Sequence, residues 1–108
     1  MSVITLTKEN LQEVVLDSAL PVLLDFGGKN CGYCRRIAPA VEAIAQENEG
    51  KLVVCTVDIE EEPEIAERFD IMTIPELVVI KNGERGESVI NPPSKAAIEA
   101  YLREQGAL

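Results

Sequence analysis

Nearly continuous apolar runs along the chain predict strands. Four of these strands are expected at residues 3–6, 21–26, 52–57 and 76–80. The run at 21–26 is nearly continuously apolar, which is typical of a central strand buried on both faces. After the fourth run comes Asn82-Gly83, which favours the tight turn of a β-hairpin, so a further strand is expected at 87–90.

Apolar positions at helical spacing predict four helices. They are expected to follow the cap Thr7, to span residues 31–48 and 63–69, and to follow the cap Ser94. Pro39 lies inside the second helix and is expected to kink it. The inward-facing positions expected in the first, second and fourth helices are, in order, Leu11, Val14, Val15 and Ala19; Ile37, Val41, Ile44 and Ala45; and Ile98, Tyr101 and Leu102.

The order of these elements predicts an α/β fold. Strands and helices alternate in the first half, and the hairpin then adds antiparallel strands. The expected result is a central mixed five-stranded sheet flanked by four helices, with helices on both of its faces. Neither a repeat nor a linker interrupts the 108 residues, so residues 1–108 are expected to form a single domain.

The composition excludes several kinds of catalytic site and makes several kinds of partner unexpected. The chain contains no histidine, which excludes a Ser-His-Asp or Cys-His nucleophile and any histidine-ligated zinc. Its formal charge of −9 would repel nucleic acid and anionic membranes, so neither is expected as a partner. Three cysteines are too few for a disulfide-stabilised scaffold, and their role is expected to be local.

The sequence also indicates in which compartment the protein is expected. Charged residues interrupt the first 20 positions, where the apolar part of a signal peptide would lie. No run approaches the roughly 18 apolar residues that a membrane-spanning helix needs. A cytoplasmic protein, whose thiols are normally kept reduced, is therefore expected.

The motif that most specifically indicates a reaction is Cys31-Gly32-Tyr33-Cys34. It follows a buried strand and a short loop, so Cys31 is expected at a helix start, where free backbone N–H groups and the helix dipole stabilise a thiolate. Cys31 is then the attacking thiolate, and Cys34, one turn further, resolves a mixed disulfide. Half of a metal site is an alternative, but only Cys55 remains as a cysteine ligand. Another alternative is that Cys31 and Cys34 are a pair of inert thiols, but their position after a loop disfavours burial. Cys55 is expected to be a small apolar residue of the core.

Two separated blocks of the sequence resemble the thioredoxin family. The first, residues 22–39, contains Asp25-Phe26, the Cys31-Gly32-Tyr33-Cys34 motif and Ile37-Ala38-Pro39. The second is Thr73-Ile74-Pro75-Glu76-Leu77, followed by Lys81-Asn82-Gly83-Glu84. Their order and spacing are also similar to those of thioredoxins, over nearly the whole chain. The resemblance implies the thioredoxin fold and a redox-active disulfide between Cys31 and Cys34.

The resemblance also implies roles for individual residues. Pro75 resembles the family's cis-proline that faces the disulfide, and the Ile74 backbone is expected to pair with the substrate chain. Together with Gly32 and Tyr33, these residues are assigned to substrate binding. Asp25 matches the family's buried acid, which accepts or relays the proton of the resolving cysteine. Its place in an apolar strand independently predicts a raised pKa, and a partly exposed acid at the strand end is the alternative.

Several positions depart from the family pattern. Gly27 and Asn30 stand where thioredoxins usually have tryptophans, Tyr33 replaces a proline, and Thr56 replaces a lysine near the buried acid. Loss of the proline is expected to ease the turn between the cysteines and to raise the reduction potential. Loss of the lysine is expected to make Asp25 harder to ionise.

The expected docking surface differs too. The run Asn91-Pro92-Pro93 replaces a glycine-containing loop, and Glu76 is expected to add a charge at the rim of the site. Docking is then expected to rely on a local basic cluster of Lys29, Arg35 and Arg36.

The functional hypothesis is a thiol–disulfide oxidoreductase that reduces protein disulfides by dithiol exchange. Under this hypothesis the protein needs no bound cofactor. It is expected to be a monomer, and a flavoprotein thioredoxin reductase is expected to return it to the reduced form. It would act in cell redox homeostasis and electron transport. One alternative is a disulfide isomerase-like or glutaredoxin-like oxidoreductase, which Tyr33 suggests. A non-catalytic binding module of thioredoxin fold is another, suggested by the altered rim at Gly27, Asn30 and Pro92.

Overall fold

A single mixed sheet organises the computed structural model, which describes residues 2–108. Its strands are β1 (Val3–Thr5), β2 (Val22–Gly27), β3 (Val53–Asp58), β4 (Glu76–Lys81) and β5 (Glu84–Ile90). They lie in the order β1-β3-β2-β4-β5, where β1, β3 and β2 are parallel and β4 and β5 are antiparallel to their neighbours. The predicted mixed five-stranded sheet is therefore confirmed, with β2 at its centre.

Four helical segments cover the two faces of this sheet. They are a π-helix (Gln12–Leu16), α1 (Gly32–Glu47), α2 (Pro63–Arg68) and α3 (Lys95–Glu104). Inward residues of α1 and α3 pack with one set of buried strand residues, whereas the π-helix and α2 pack with the other set. Alternate side chains of β2 therefore enter two separate cores, as Leu23 and Leu24 do. All the inward positions predicted for α1 and α3 are buried, and Pro39 lies inside α1.

The helix predicted after Thr7 is present, and Leu11, Val14 and Val15 pack against the core as expected, but Thr7 does not cap it and it is a π-helix that begins at Gln12. Thr7 donates its backbone N–H to the Asn10 side chain at 2.8 Å, and Asn10 donates in turn to the carbonyl of Thr5 at 3.1 Å. An asparagine that bonds nearby backbone offers the chain an alternative to a helix. Only Gln12–Leu16 becomes helical, as a π-helix, and Ala19, predicted to face inward, is exposed.

The predicted hairpin turn is confirmed, although its second strand begins at Glu84 rather than at residue 87. Asn82 and Gly83 have φ of 53° and 79°, the pair of positive values that a type I′ turn requires. Ser94 caps α3 as predicted, because its side chain accepts the N–H of Ala97 at 3.1 Å. In residues 2–108, no helix combines the length and the apolar composition needed to cross a membrane.

At a bulge between β4 and β5, the hydroxyl of Tyr101 forms hydrogen bonds with two backbone groups. The Tyr101 hydroxyl accepts the N–H of Val79 at 3.0 Å and donates to the carbonyl of Glu87 at 2.6 Å. We expect Tyr101→Phe to lower the free energy of unfolding by about 1–3 kcal/mol, because it leaves both groups without this partner. Denaturant unfolding would measure the change, and a loss below about 0.5 kcal/mol would mean that water replaces the hydroxyl.

Candidate functional site

Cys31 and Cys34 lie where the loop after β2 enters α1. They are joined by a disulfide with a Cα–Cα distance of 5.2 Å. Cys31 is the N-cap residue of α1, and its sulfur accepts the backbone N–H of Cys34 at 3.1 Å. An N–H of the first helical turn therefore points at the Cys31 sulfur, and the same contact favours a thiolate there once the disulfide is opened.

The predicted basic cluster is only partly available to a partner. Lys29 lies 3.9 Å from the carboxylate of Glu61 in an exposed ion pair. Arg35 donates to the carbonyl of Lys29 at 2.8 Å. Arg36, in contrast, turns away from these two residues toward the loop that precedes α3. The cluster therefore adds positive charge near Cys31, but each of its three members already has a partner within the chain.

Asp25 lies at the centre of the sheet, and no charged side chain among residues 2–108 pairs with it. It is 8% exposed, and within residues 2–108 its Oδ1 has no hydrogen-bond partner. Its register neighbours are Thr56 on β3 and Leu77 on β4, neither of which is charged. Burial alone raises the pKa of Asp25 from 3.8 to about 6, because water no longer solvates the carboxylate. The alternative of a partly exposed acid is wrong.

A cavity of about 290 Å³ joins Asp25 to the disulfide. Both Asp25 and Cys34 line it, as do Gly27 and Thr56. The buried carboxyl and the sulfur of Cys34 therefore share one space. This arrangement allows a proton to pass between Asp25 and Cys34 through a solvent molecule.

Ile74, the residue before Pro75, borders the other cysteine. The peptide bond between Ile74 and Pro75 is cis, as the family resemblance implies. Ile74 and Asn30 line a second cavity of about 230 Å³ together with Cys31. Among the residues predicted to bind substrate, Tyr33 is 61% exposed and Gly32 is also exposed, whereas Ile74 is half-buried and Pro75 is buried.

Glu76 does not add a charge to the rim, so this expectation is wrong. The residue is 4% exposed, and its carboxylate lies 3.9 Å from Arg85. It also accepts the backbone N–H of Met72 at 3.4 Å, and Arg85 donates to the carbonyl of Phe69. A buried carboxylate requires such partners, and Arg85 reaches Glu76 from the neighbouring strand β5, a pairing that depends on strand register.

Arg36 contacts the loop that precedes α3, far from it in the sequence. It donates to the Asn91 side chain at 2.9 Å and to the carbonyl of Pro93 at 3.1 Å. Its guanidinium also lies 5.6 Å from the centre of the Tyr33 ring, which is within the range of a cation–π contact. Asn91 in turn donates its backbone N–H to the carbonyl of Pro75 at 2.9 Å. Arg36 therefore connects the motif between the cysteines to the loop beside Pro75.

The remaining cysteine is separate from this site. Cys55 on β3 is fully buried, and burial raises the pKa of its thiol to about 12. The predicted core position of Cys55 is thus confirmed. Within the described residues 2–108, no group of three or more His, Cys, Asp or Glu side chains is arranged to hold a metal ion.

Comparisons with known proteins agree with this geometry. The family model described as Thioredoxin matches residues 2–104. The chain is 38% identical to thioredoxin from Porphyra purpurea over 102 residues, which cover 94% of this chain and 95% of that protein. It is 38% identical to thioredoxin 1 from Nostoc sp. over 89% of this chain and 90% of that protein. It is also 41% identical to a chloroplastic M-type thioredoxin from Spinacia oleracea, over 84% of this chain and 52% of that protein.

Proposed function

Because the chain belongs to the thioredoxin family, we propose that its cysteine pair reduces protein disulfides through Cys31 as nucleophile and Cys34 as resolving thiol. The protein is a thiol–disulfide oxidoreductase of the thioredoxin type, and disulfide-containing proteins are its class of substrate. The observation that carries the assignment of roles is the placement of Cys31 at the start of α1, with its sulfur accepting an N–H of the first turn. This finding favours a reductase over a non-catalytic binding module.

The reaction proceeds in two exchanges. The reduced Cys31 thiolate attacks one sulfur of the substrate disulfide, forms a mixed disulfide and expels the other substrate sulfur as a thiolate. Cys34 then loses its proton and attacks Cys31, which releases the second substrate sulfur and closes the Cys31–Cys34 disulfide. Two electrons pass from the protein to the substrate, and no bound cofactor takes part in this scheme.

Asp25 is the proposed acceptor of the Cys34 proton. It shares a cavity with Cys34, and a carboxyl with a pKa of about 6 is largely ionised at pH 7 and able to accept a proton. No histidine exists in the chain to do this instead. Gly32, Tyr33, Ile74 and Pro75 are proposed to bind the substrate chain around Cys31.

The partner that restores the reduced form is proposed to be a flavoprotein thioredoxin reductase. A monomer in the cytoplasm would suit this cycle, since reduced thiols persist there and each exchange needs an accessible Cys31. Roles in electron transport and in cell redox homeostasis follow from the same proposal. The curated relatives include proteins named as chloroplastic, so the compartment is best tested directly.

A mixed-disulfide trap tests the assignment of roles. In Cys34→Ser the first exchange can occur but the second cannot, so a covalent complex through Cys31 is expected to accumulate with a disulfide-bonded protein. Non-reducing electrophoresis and peptide mapping would identify the linked cysteine. Linkage through Cys55 instead of Cys31 would overturn the proposal. The reduction potential of the Cys31–Cys34 pair would then show whether the reductive direction is favoured over isomerase-like chemistry.

Arg36 provides a prediction about substrate binding. We expect Arg36→Gln to raise KM for a protein disulfide about three- to ten-fold, because Tyr33 and the loop at Asn91 lose the contacts that hold them together. Turnover of a small aromatic disulfide, which needs little of this surface, should stay within about two-fold. Arg103→Gln on the exposed face of α3 serves as the matched control. An equal change for both substrates would show that Arg36 acts on the disulfide itself.

A further inference from the structure

Among residues 2–108, the cavity beside Cys31 is lined by a single acidic side chain and by no basic one. We name this space of about 230 Å³ the Cys31 cavity, and it is lined by Gly28, Asn30, Cys31, Ile59, Glu60 and Ile74. Its walls are therefore apolar at the two isoleucines and negatively charged at the glutamate. Because the cavity lies on the proposed substrate side, a substrate side chain next to the attacked sulfur can enter it.

The carboxylate of Glu60 and the side chain of Ile74 lie close together at one wall of the Cys31 cavity. A Cβ atom built on Gly28 would be 3.3 Å from Cδ1 of Ile74 and 4.0 Å from Oε1 of Glu60. Both atoms are thus near the same point, beside a residue that has no side chain of its own. An apolar surface and a negative charge are therefore adjacent within reach of one substrate side chain.

The charge of Glu60 is available to a substrate. Its backbone N–H is donated to the Asp58 side chain at 2.8 Å, but within residues 2–108 its own carboxylate has no hydrogen bond and no ion pair. The next residue differs, because the carboxylate of Glu61 lies 3.9 Å from Lys29. Glu60 is also exposed, so a cation can approach it without displacing another side chain.

The basic residues near the disulfide face other parts of the surface. Lys29 and Arg35 line the larger cavity beside Cys34, and Arg36 donates to the Asn91 side chain. None of these cations lines the Cys31 cavity, so no basic group inside it compensates the charge of Glu60.

We infer that Glu60 selects protein disulfides in which a lysine or arginine lies within two residues of the attacked cysteine. This inference rests on the proposed function, because the cavity belongs to the same nucleophile. The methylene stem of such a side chain can pack on Ile59 and Ile74 while its charged end reaches Glu60. Two residues of extended chain span only about 7 Å, which keeps the cation beside Cys31. An acidic side chain at the same place is repelled.

Peptide disulfides of defined sequence test this selection. Each peptide contains one cysteine linked to 2-thiopyridine, with lysine or norleucine at one of the four positions within two residues of that cysteine. Norleucine has a similar unbranched stem but no charge. In reduced Cys34→Ser, the Cys31 thiolate bonds to the peptide sulfur and expels pyridine-2-thiolate, which takes up a proton from water. Absorbance of the released 2-thiopyridone gives the rate, and mass spectrometry confirms the covalent peptide adduct.

The ratio of the lysine rate to the norleucine rate is the readout. At one or more of the four positions we expect the lysine peptide to react about two- to five-fold faster, the range for an exposed ion pair. Glu60→Gln, made in the same Cys34→Ser background, is expected to bring this ratio to about one. Glu60→Lys is expected to reverse the preference, so that a glutamate peptide reacts faster than the lysine peptide.

Two controls separate the local contact from the attraction of any cation to a chain of charge −9. Glu67→Gln removes the same charge from an exposed position of α2 outside the Cys31 cavity, and it should preserve the ratio. A peptide whose lysine lies far from its cysteine should show little preference.

Two results would overturn the inference: equal lysine and norleucine rates at all four positions, or a ratio that Glu67→Gln lowers as much as Glu60→Gln does. The proposed function is tested separately by whether Cys31 forms peptide adducts at all and whether the wild type turns over a protein disulfide. If both occur without a lysine preference, only the role of Glu60 fails. If neither occurs, the proposed function itself fails.

Discussion

Replacement of Cys31 by serine is expected to lower the rate of protein-disulfide reduction by at least about 10³-fold. A serine hydroxyl is far less nucleophilic than a thiolate at pH 7, and it cannot form the mixed disulfide on which the reaction depends. The placement of Cys31 at the start of α1 makes it the sulfur that the helix stabilises as an anion. The measurement is turnover of a disulfide-bonded protein with a dithiol as the electron source.

Cys55→Ala is the matched control for this experiment. Cys55 is fully buried, and its pKa of about 12 keeps it protonated, so its loss should leave the rate within about two-fold. If Cys31→Ser retained most of the activity, Cys31 would not be the nucleophile. If Cys55→Ala abolished the rate while the protein stayed folded, the reactive pair would be assigned wrongly.

Asp25→Asn is expected to raise the free energy of unfolding of the oxidised protein at pH 7 by about 3 kcal/mol. Burial raises the pKa of Asp25 from 3.8 to about 6, so the folded protein binds this proton more tightly than the unfolded chain does. The contribution of Asp25 to stability is therefore most favourable below about pH 4 and is lost as the pH rises from about 4 through about 6. Asparagine resembles the protonated acid in shape and avoids this loss.

The pH dependence distinguishes this cause from a general change in packing. The advantage of Asp25→Asn should be near zero at pH 4 and should grow up to about pH 6, as measured by denaturant unfolding at several pH values. Asp70→Asn, at an exposed position of positive φ that asparagine also tolerates, is the matched control and should show no such trend. An advantage of equal size at every pH would mean that ionisation of Asp25 is not its source.

The local features of the fold could be predicted because each depends on a few adjacent residues. The Asn82-Gly83 turn follows from the preference of these two residues for positive φ, and the inward face of α1 follows from a spacing of three to four residues. The first helix could not be predicted in the same way. Its apolar spacing was real, but the Asn10 side chain competes for the backbone around Thr7 and only a π-helical turn remains.

The sequence by itself determined the class of chemistry: a paired Cys31 and Cys34 at a helix start, a carboxyl in an apolar strand and no histidine. These features depend only on residue type and on short spacings along the chain, so they can be recognised from the sequence. Only the tertiary structure decided that Glu76 is buried beside Arg85, that Arg36 holds the loop at Asn91, and that an open cavity joins Asp25 to Cys34. Each of these involves contacts between different elements of the fold, and such contacts exist only once the strands and helices have packed together.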